Sequence, residues 1–128
     1  MDLMTLLVVG SGGALGTMAR FAATQAVVWW LGGNFPYATM NINIVGSFLM
    51  GMLTQAASEV WSPSVPLLSF FKIGVLGGFT TFSSFSLDAV NLMNEGDWIG
   101  FTAYVSGSVV ASIGGLVAGM MTVDFLFP

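Results

Sequence analysis

Long stretches without charge constrain this chain more than any other feature of its sequence. Residues 21–58 and 98–123 contain no Asp, Glu, Lys or Arg, and only 6% of the 128 residues are charged, against roughly 25% in soluble domains. Each stretch exceeds the roughly 20 apolar residues that a helix needs to cross a bilayer. The sequence therefore predicts an integral membrane protein in which one domain fills the chain.

Turn-rich interruptions divide this hydrophobic sequence into helices. Gly, Asn, Pro and acidic residues cluster at 32–36, 58–66 and 94–97, and such clusters are typical of turns. The segmentation predicts transmembrane helices at about 4–31, 37–58, 66–93 and 98–125. The predicted fold class is an all-α membrane protein with four transmembrane helices.

The composition also excludes whole classes of function. The chain has no Cys and no His, so thiol chemistry and the usual near-neutral proton carrier are both missing. No metal-ligand cluster or nucleophile elbow is visible, which argues against an enzyme. The net charge of −4 argues against a nucleic-acid partner.

The decapeptide GGFTTFSSFS at residues 77–86 lies inside the third predicted helix. Lipid offers backbone polar groups no partners, so a cluster of glycines and hydroxyls at membrane depth indicates a broken helix or an ion site. Gly77 and Gly78 allow a break, and the carbonyls of Gly77 through Thr80 are candidate ligands for a dehydrated monovalent cation. The alternative is that the two glycines only allow two helices to cross closely.

The same decapeptide carries candidate contacts for an anion. Phe82 and Phe85 lie three apart, hence on one helical face, and the edge of an aromatic ring is the positive part of its quadrupole. Ring edges turned into a narrow path would contact an anion without holding it tightly. Taken alone the pair also fits core or lipid contact, but hydroxyls surround it, namely those of Thr80, Thr81, Ser83, Ser84 and Ser86.

Further hydrogen-bond donors occur on the second and fourth helices. Asn41 and Asn43 flank Ile42 and so point in different directions, and each amide can bind helices together or replace part of an anion's hydration shell. On the fourth helix, a single stripe with a spacing of four is formed by Tyr104, Ser108 and Ser112. Such a stripe suits an anion or a helix contact.

The two basic residues bear on orientation and assembly. Arg20 lies near the first loop and Lys72 near the opposite side of the membrane, so the Lys/Arg imbalance that normally fixes topology is absent. Arg20 either anchors the helix at the interface or supplies a positive vestibule. Four short helices can hardly enclose a pore, and small residues recur four apart, as in Gly12 and Gly16. We therefore expect an oligomer and find an antiparallel homodimer feasible.

Three segments together resemble the Fluc family of bacterial and archaeal fluoride channels: GALGTMAR at residues 13–20, NINIVGSFLMG at 41–51, and GGFTTFSSFS at 77–86. The resemblance covers essentially the whole chain, and the third segment is the most specific. It implies a dual-topology homodimer in the cytoplasmic membrane with two antiparallel pores, which exports fluoride passively and so reduces fluoride toxicity.

The resemblance also implies roles for individual residues. Arg20 matches the vestibule arginine, and the carbonyls of Gly77 and Thr80 from both subunits would hold a structural sodium ion. Asp88 departs from the family, which usually has Glu there. The fluoride pore would be lined by Asn43, Thr81, Phe82, Ser83, Ser84, Phe85, Tyr104, Ser108 and Ser112.

Two rival functions are weighed against the channel. Small multidrug resistance transporters share the chain length, four helices and antiparallel dimers, but they need a carboxylate inside the first helix, and none occurs between Leu3 and Leu31. A non-transporting membrane assembly protein would explain the small-residue pairs, but not the run of hydroxyls and phenylalanines.

Fluoride is small and strongly hydrated, so a neutral path of close-set donors suits it and excludes larger chloride.

Overall fold

The computed structural model describes all 128 residues, and every regular element is helical. In chain order the elements are α1 (Leu3–Leu31), α2 (Tyr37–Glu59), α3 (Val65–Ser69), a π-helical segment (Phe70–Leu76), α4 (Gly77–Phe79), α5 (Phe82–Asn94) and α6 (Trp98–Leu126). The elements from α3 to α5 follow one another in a single bent span, Val65–Asn94, which is called the third span below. The all-α fold is confirmed.

Three helices are long and apolar enough to cross a membrane, Leu3–Leu31, Val65–Asn94 and Trp98–Leu126. Helix α2 has 23 residues, which is long enough, but its composition is more polar because it carries Asn41, Asn43 and Gln55. The chain is a multi-pass membrane protein. The lack of charged residues at positions 21–58 did not by itself show that α2 is more polar than the other helices.

Short polar side chains begin most of the helices. The carboxylate of Asp2 accepts a hydrogen bond from the Met4 N–H at 3.2 Å, and Asp97 accepts one from the Gly100 N–H at 2.8 Å. These bonds satisfy backbone donors that have no partner inside the helix. At the other end of α1 stands Gly32, with φ at 78°, a conformation that glycine adopts without strain.

The first half of the third span packs directly on α1. A Cβ at Gly12 would lie 2.6 Å from the carbonyl oxygen of Phe70, and one at Gly78 would lie 2.7 Å from the carbonyl oxygen of Gly13. Gly16 similarly faces the carbonyl of Val75. Because no side chain separates the backbones, the two helices approach as closely as small residues allow.

Helices α2 and α6 form a second close pair. Gly51 faces the carbonyl of Leu116, and Gly119 faces the carbonyl of Phe48. In both pairs the helices run parallel, since alternate helices of an up-and-down bundle start from the same side. The prediction that glycines four apart mark close helix contact is confirmed for α1 and α6.

The third span bends at two residues. Thr80 (φ −82°, ψ 158°) and Thr81 (φ −151°, ψ 113°) are extended rather than helical, and they separate α4 from α5. Beyond this link α5 packs against α6, where Ala89, Leu92 and Tyr104 form a small buried core. The bend thus separates a glycine-packed half of the span from a half that packs through side chains.

Candidate functional site

A groove of about 390 Å³ opens where the bend in the third span faces α2 and α6. Most predicted pore residues lie together in its wall. The groove is lined by Asn43, Gly46, Ser47, Met50, Thr80, Thr81, Phe82, Phe85, Ser108, Val109, Ser112, Ile113 and Leu116. It contains no ionisable side chain, so its polarity comes from amide, hydroxyl and backbone groups alone.

Asn43, a residue of α2, bonds to Thr81 in the extended link between α4 and α5. Its Nδ2 donates to the Thr81 carbonyl at 3.0 Å, and its Oδ1 accepts from the Thr81 N–H at 2.8 Å. The bend frees both backbone groups of Thr81 from helical hydrogen bonds, and the two bonds satisfy them. An amide carries two N–H donors, so one donor of Asn43 remains for another partner. Asn41 is exposed and donates to the Tyr37 carbonyl instead.

The hydroxyl side chains that follow the bend mainly stabilise the N-terminus of α5. Thr81 is buried, and its Oγ1 accepts from the Ser84 N–H at 3.1 Å, which makes Thr81 the N-cap residue. The hydroxyl of Ser83 is 3.3 Å from the same Oγ1. Neither Ser83 nor Ser84 lines the groove. Within one chain the Ser83 hydroxyl contacts Thr81, and Ser84 contributes its backbone N–H to the N-cap.

The two phenylalanines differ in exposure. Their ring centroids are 5.6 Å apart and the planes are tilted by 46°. Phe82 is 79% exposed, whereas Phe85 is half-buried and its ring lies 5.3 Å from that of Tyr104. Both side chains line the groove, so the spacing of three does place them on one surface.

Ser108 and Ser112 face the groove from α6, one turn apart. Ser108 is only 4% exposed, and its Oγ is a buried polar atom without a hydrogen-bond partner. An unpaired buried hydroxyl is costly. The wall of the groove thus holds one buried hydroxyl that no other group of the same chain pairs with.

Tyr104 lies one turn before Ser108 but does not line the groove. It is fully buried, and its hydroxyl donates to Oδ2 of Asp88 at 3.0 Å. The stripe predicted on the fourth helix is therefore divided, with two serines at the groove and the tyrosine hydroxyl turned to a carboxylate behind it.

Comparison with known proteins reveals the family. A family model described as CrcB-like protein, Camphor Resistance (CrcB), matches residues 7–120. The chain belongs to the CrcB family. It is 47% identical over 115 residues to the protein named Fluoride-specific ion channel FluC of Rhodospirillum centenum, with 90% of this chain and 91% of that protein covered.

Other CrcB-family relatives agree. Proteins of the same name from Nitrobacter winogradskyi and Agrobacterium fabrum are each 42% identical, over 118 and 119 residues, with 92% of this chain and 94% of each relative covered. The resemblance drawn from the three sequence segments is confirmed.

The remaining predicted residues of this CrcB-family chain lie outside the groove or at its edge. Gly77 is exposed, and a Cβ there would meet only the Lys72 carbonyl oxygen, at 3.7 Å. Thr80 lines the groove, and its hydroxyl donates to the Leu76 carbonyl at 2.9 Å. Arg20 is half-buried and lies about three turns before the end of α1 at Leu31.

Two features of the site were missed by the sequence reasoning. Gly46 is buried against the Thr80 methyl group, where any Cβ would collide, and the pairing of Asp88 with Tyr104 crosses between α5 and α6. Gly46 belongs to the segment NINIVGSFLMG, so a glycine between the polar residues Asn43 and Ser47 was a usable signal in the sequence. The pairing of Asp88 with Tyr104 left no signal in the sequence, because the two residues are 16 positions apart and on different helices.

Proposed function

We propose that this chain is a fluoride-specific channel that exports fluoride passively, and that the groove is part of the fluoride pathway. The unpartnered hydroxyl of Ser108 carries the proposal. A buried O–H without an acceptor is ready for a small anion, and Ser112 and the free donor of Asn43 lie on the same surface. The names of the relatives, fluoride-specific ion channels, support the same conclusion.

The composition of the groove suits fluoride better than a larger or charged substrate. Fluoride gives up its hydration shell only where close-set donors replace the water. Amide and hydroxyl donors supply them here, and the groove lacks a carboxylate or a lysine that would repel or trap the ion. Without a titrating group in the groove, transport has nothing there with which to couple to protons, so conduction is passive.

A second copy of the chain, in the opposite orientation, completes the pathway in this proposal. Phe82 lines the groove yet is 79% exposed, so one side of the path needs another surface to exclude lipid. The balance of Arg20 against Lys72 lets both orientations insert, with α2 as the fourth membrane-spanning helix. An antiparallel homodimer would then carry two symmetry-related pores.

A sodium ion between the two copies fits the backbone that the chain offers. Gly77 is exposed, the Thr81 N–H bonds to Asn43 Oδ1 rather than to the Gly77 carbonyl, and Thr80 leaves the helical conformation, so both carbonyls are available for a shared hard cation. No cluster of three His, Cys, Asp or Glu residues exists, so side chains do not offer a competing site. Arg20, half-buried about three turns before the end of α1, would supply positive potential at the entrance.

Efflux from liposomes that contain only the purified protein tests the channel directly. Fluoride should leave without nucleotide or an imposed proton gradient, and chloride should stay. Ser108→Ala should slow efflux by about tenfold, the ratio that 1.4 kcal/mol represents, while Ser106→Ala, at an exposed position of the same helix, should leave it unchanged. Equal fluoride and chloride flux, or flux only with a proton gradient, would reject the channel.

Fixed-topology variants test the dimer. Lysines added to the loop at residues 32–36 should hold that loop in the cytoplasm and lower activity when the variant is expressed alone. Coexpression with a variant carrying lysines at residues 59–64 should restore activity, because the two populations supply opposite orientations. Full activity from either variant alone would exclude the antiparallel dimer.

A further inference from the structure

One face of α2 meets the bend in the third span. The groove is lined from α2 by Asn43, Gly46, Ser47 and Met50. Their spacing of three and four places them on one side of the helix. Gly46 is the only one of the four without a side chain, and it is buried. The extended link thus contacts α2 at two neighbouring positions, Thr81 at Asn43 and Thr80 at Gly46.

The side chain of Thr80 is held on two sides. Its hydroxyl donates to the Leu76 carbonyl at 2.9 Å, and its backbone N–H donates to the same carbonyl at 3.1 Å. Its methyl group lies so close to the Cα of Gly46 that a Cβ there would collide with it. Threonine is branched at Cβ, so its hydroxyl and methyl groups turn together about χ1. The methyl group therefore cannot rotate away from Gly46 unless the hydroxyl bond to Leu76 is lost.

Helix α2 is also fixed in place. Gly51 and Gly119 bring the backbones of α2 and α6 into direct contact, and a shift of α2 would either compress or open these contacts. A methyl group added at Gly46 would therefore displace the extended link instead. The Thr81 backbone, which bonds to Asn43 at 2.8 and 3.0 Å, would move with it.

We propose that Gly46 is a positioning residue of the pore: because it has no side chain, the Thr80 methyl group packs directly on α2, and this contact sets the position of the extended link in the groove wall. The inference rests on the proposed fluoride channel and adds a determinant to it. Phe82 follows the link directly and lines the groove, so a displaced link would also displace its ring. Gly46 acts through these residues, since it has no side chain that could bind the ion.

Fluoride efflux from liposomes tests the contact by rescue. Gly46→Ala should slow efflux by about tenfold. In a Thr80→Ser background, which keeps the hydroxyl and removes the methyl group, Gly46→Ala should slow efflux by less than about twofold. In a Thr80→Val background, which keeps the methyl group, the loss should again be about tenfold. Each double variant is compared with its own Thr80 variant, and equal losses in all three backgrounds would overturn the inference.

Gly51→Ala is the matched control for the rescue. Gly51 is another buried glycine of α2, but a Cβ there would meet the backbone of Leu116 rather than a methyl group. Thr80→Ser should therefore not rescue Gly51→Ala. Rescue of both glycine variants would mean that Thr80→Ser stabilises the protein in general, and it would overturn the inference.

Hydrogen exchange measured by mass spectrometry reads the position of the link without any ion. In Gly46→Ala, peptides that cover residues 77–86 should exchange at least about threefold faster, because the Thr81 N–H loses its bond to Asn43. Peptides of α1 should keep the rate of the parent, and Thr80→Ser should remove the difference at residues 77–86. Slower efflux with unchanged exchange at residues 77–86 would overturn the inference and leave the channel intact.

The two proposals fail separately. A parent protein without fluoride flux would reject the channel, while the exchange rates and their rescue would still decide the role of Gly46. If Gly46→Ala does not fold, the yield of monodisperse protein replaces both readouts. Folded Gly46→Ala protein in the Thr80→Ser background but not in the Thr80→Val background would support the contact, and any other result would overturn it.

Discussion

The two halves of the third span pack by different rules. Before the bend, Gly74 and Gly78 bring its backbone against that of α1, so that a Cβ would meet main-chain atoms within 2.8 Å. After the bend, α5 meets α6 through side chains such as Leu92 and Tyr104, and a groove remains beside them. One span thus supplies both a closely packed scaffold and a surface with room for an ion.

This comparison teaches where substitutions should be tolerated. A backbone contact without side chains cannot accommodate an added methyl group, because the neighbouring atom is part of a helix and cannot rotate away. A groove lined by side chains can lose one of them and keep its fold. Changes before the bend should therefore affect assembly, and changes after it should affect conduction.

The largest effect is expected from Gly16→Ala in the closely packed half. Its new methyl group would collide with the carbonyl of Val75, and overpacking of this kind costs about 1–3 kcal/mol or more. The midpoint of thermal unfolding in detergent should drop, with loss of monodisperse protein. Gly10→Ala is the control, since nothing lies within 4 Å of a Cβ there. Equal stability of the two variants would contradict the backbone contact.

Asn43→Ala should have the next largest effect, on the link between the two halves. It removes both bonds that hold Thr81 in its extended conformation, and it leaves buried backbone groups unsatisfied. We expect fluoride efflux to fall by more than about tenfold. Asn41→Ala removes an amide of the same size that bonds only within its own helix, and it should conduct nearly as the parent does. Similar losses from both would mean that Asn43 is not special to the bend.

Phe82→Ile and Phe85→Ile sharpen the comparison inside the groove. Isoleucine keeps much of the volume but removes the ring quadrupole, so each change should reduce fluoride efflux by about threefold to tenfold without altering the oligomeric state of the purified protein. Efflux and the size of the purified oligomer are measured on the same sample. If both variants conduct like the parent, the rings serve only packing.

Much of the scaffold could be predicted from the sequence, because its determinants are local. Glycine and acidic residues at helix ends act within a few positions, as Asp97 does at the start of α6. Glycines four apart predicted close contact on α1. The absence of charged residues did not distinguish α2 from the other helices, because a segment without charges can still contain several uncharged polar residues.

The site was predictable only as a set of residue types. The spacing of Phe82 and Phe85 and of Ser108 and Ser112 placed each pair on one face, and both pairs line the groove. The direction of each hydroxyl could not be predicted, because it depends on partners far along the chain. Tyr104 belongs to the predicted stripe, yet its proton goes to Asp88 on another helix.

The smallest effect is expected at Arg20. This residue lies on α1, the helix against which the first half of the third span packs. Arg20 follows Gly16 by one turn, and it is half-buried near the entrance proposed for fluoride. Arg20→Gln should lower efflux by about twofold at low ionic strength, and the difference should shrink in high salt, because salt shortens the Debye length over which a charge acts. Lys72→Gln is the matched control, since it removes the other basic residue of the chain and disturbs the balance of topology as much in the opposite sense. An equal, salt-independent loss in both variants would assign Arg20 to topology, and a salt-dependent loss in Arg20→Gln alone would assign it to the electrostatics of the entrance.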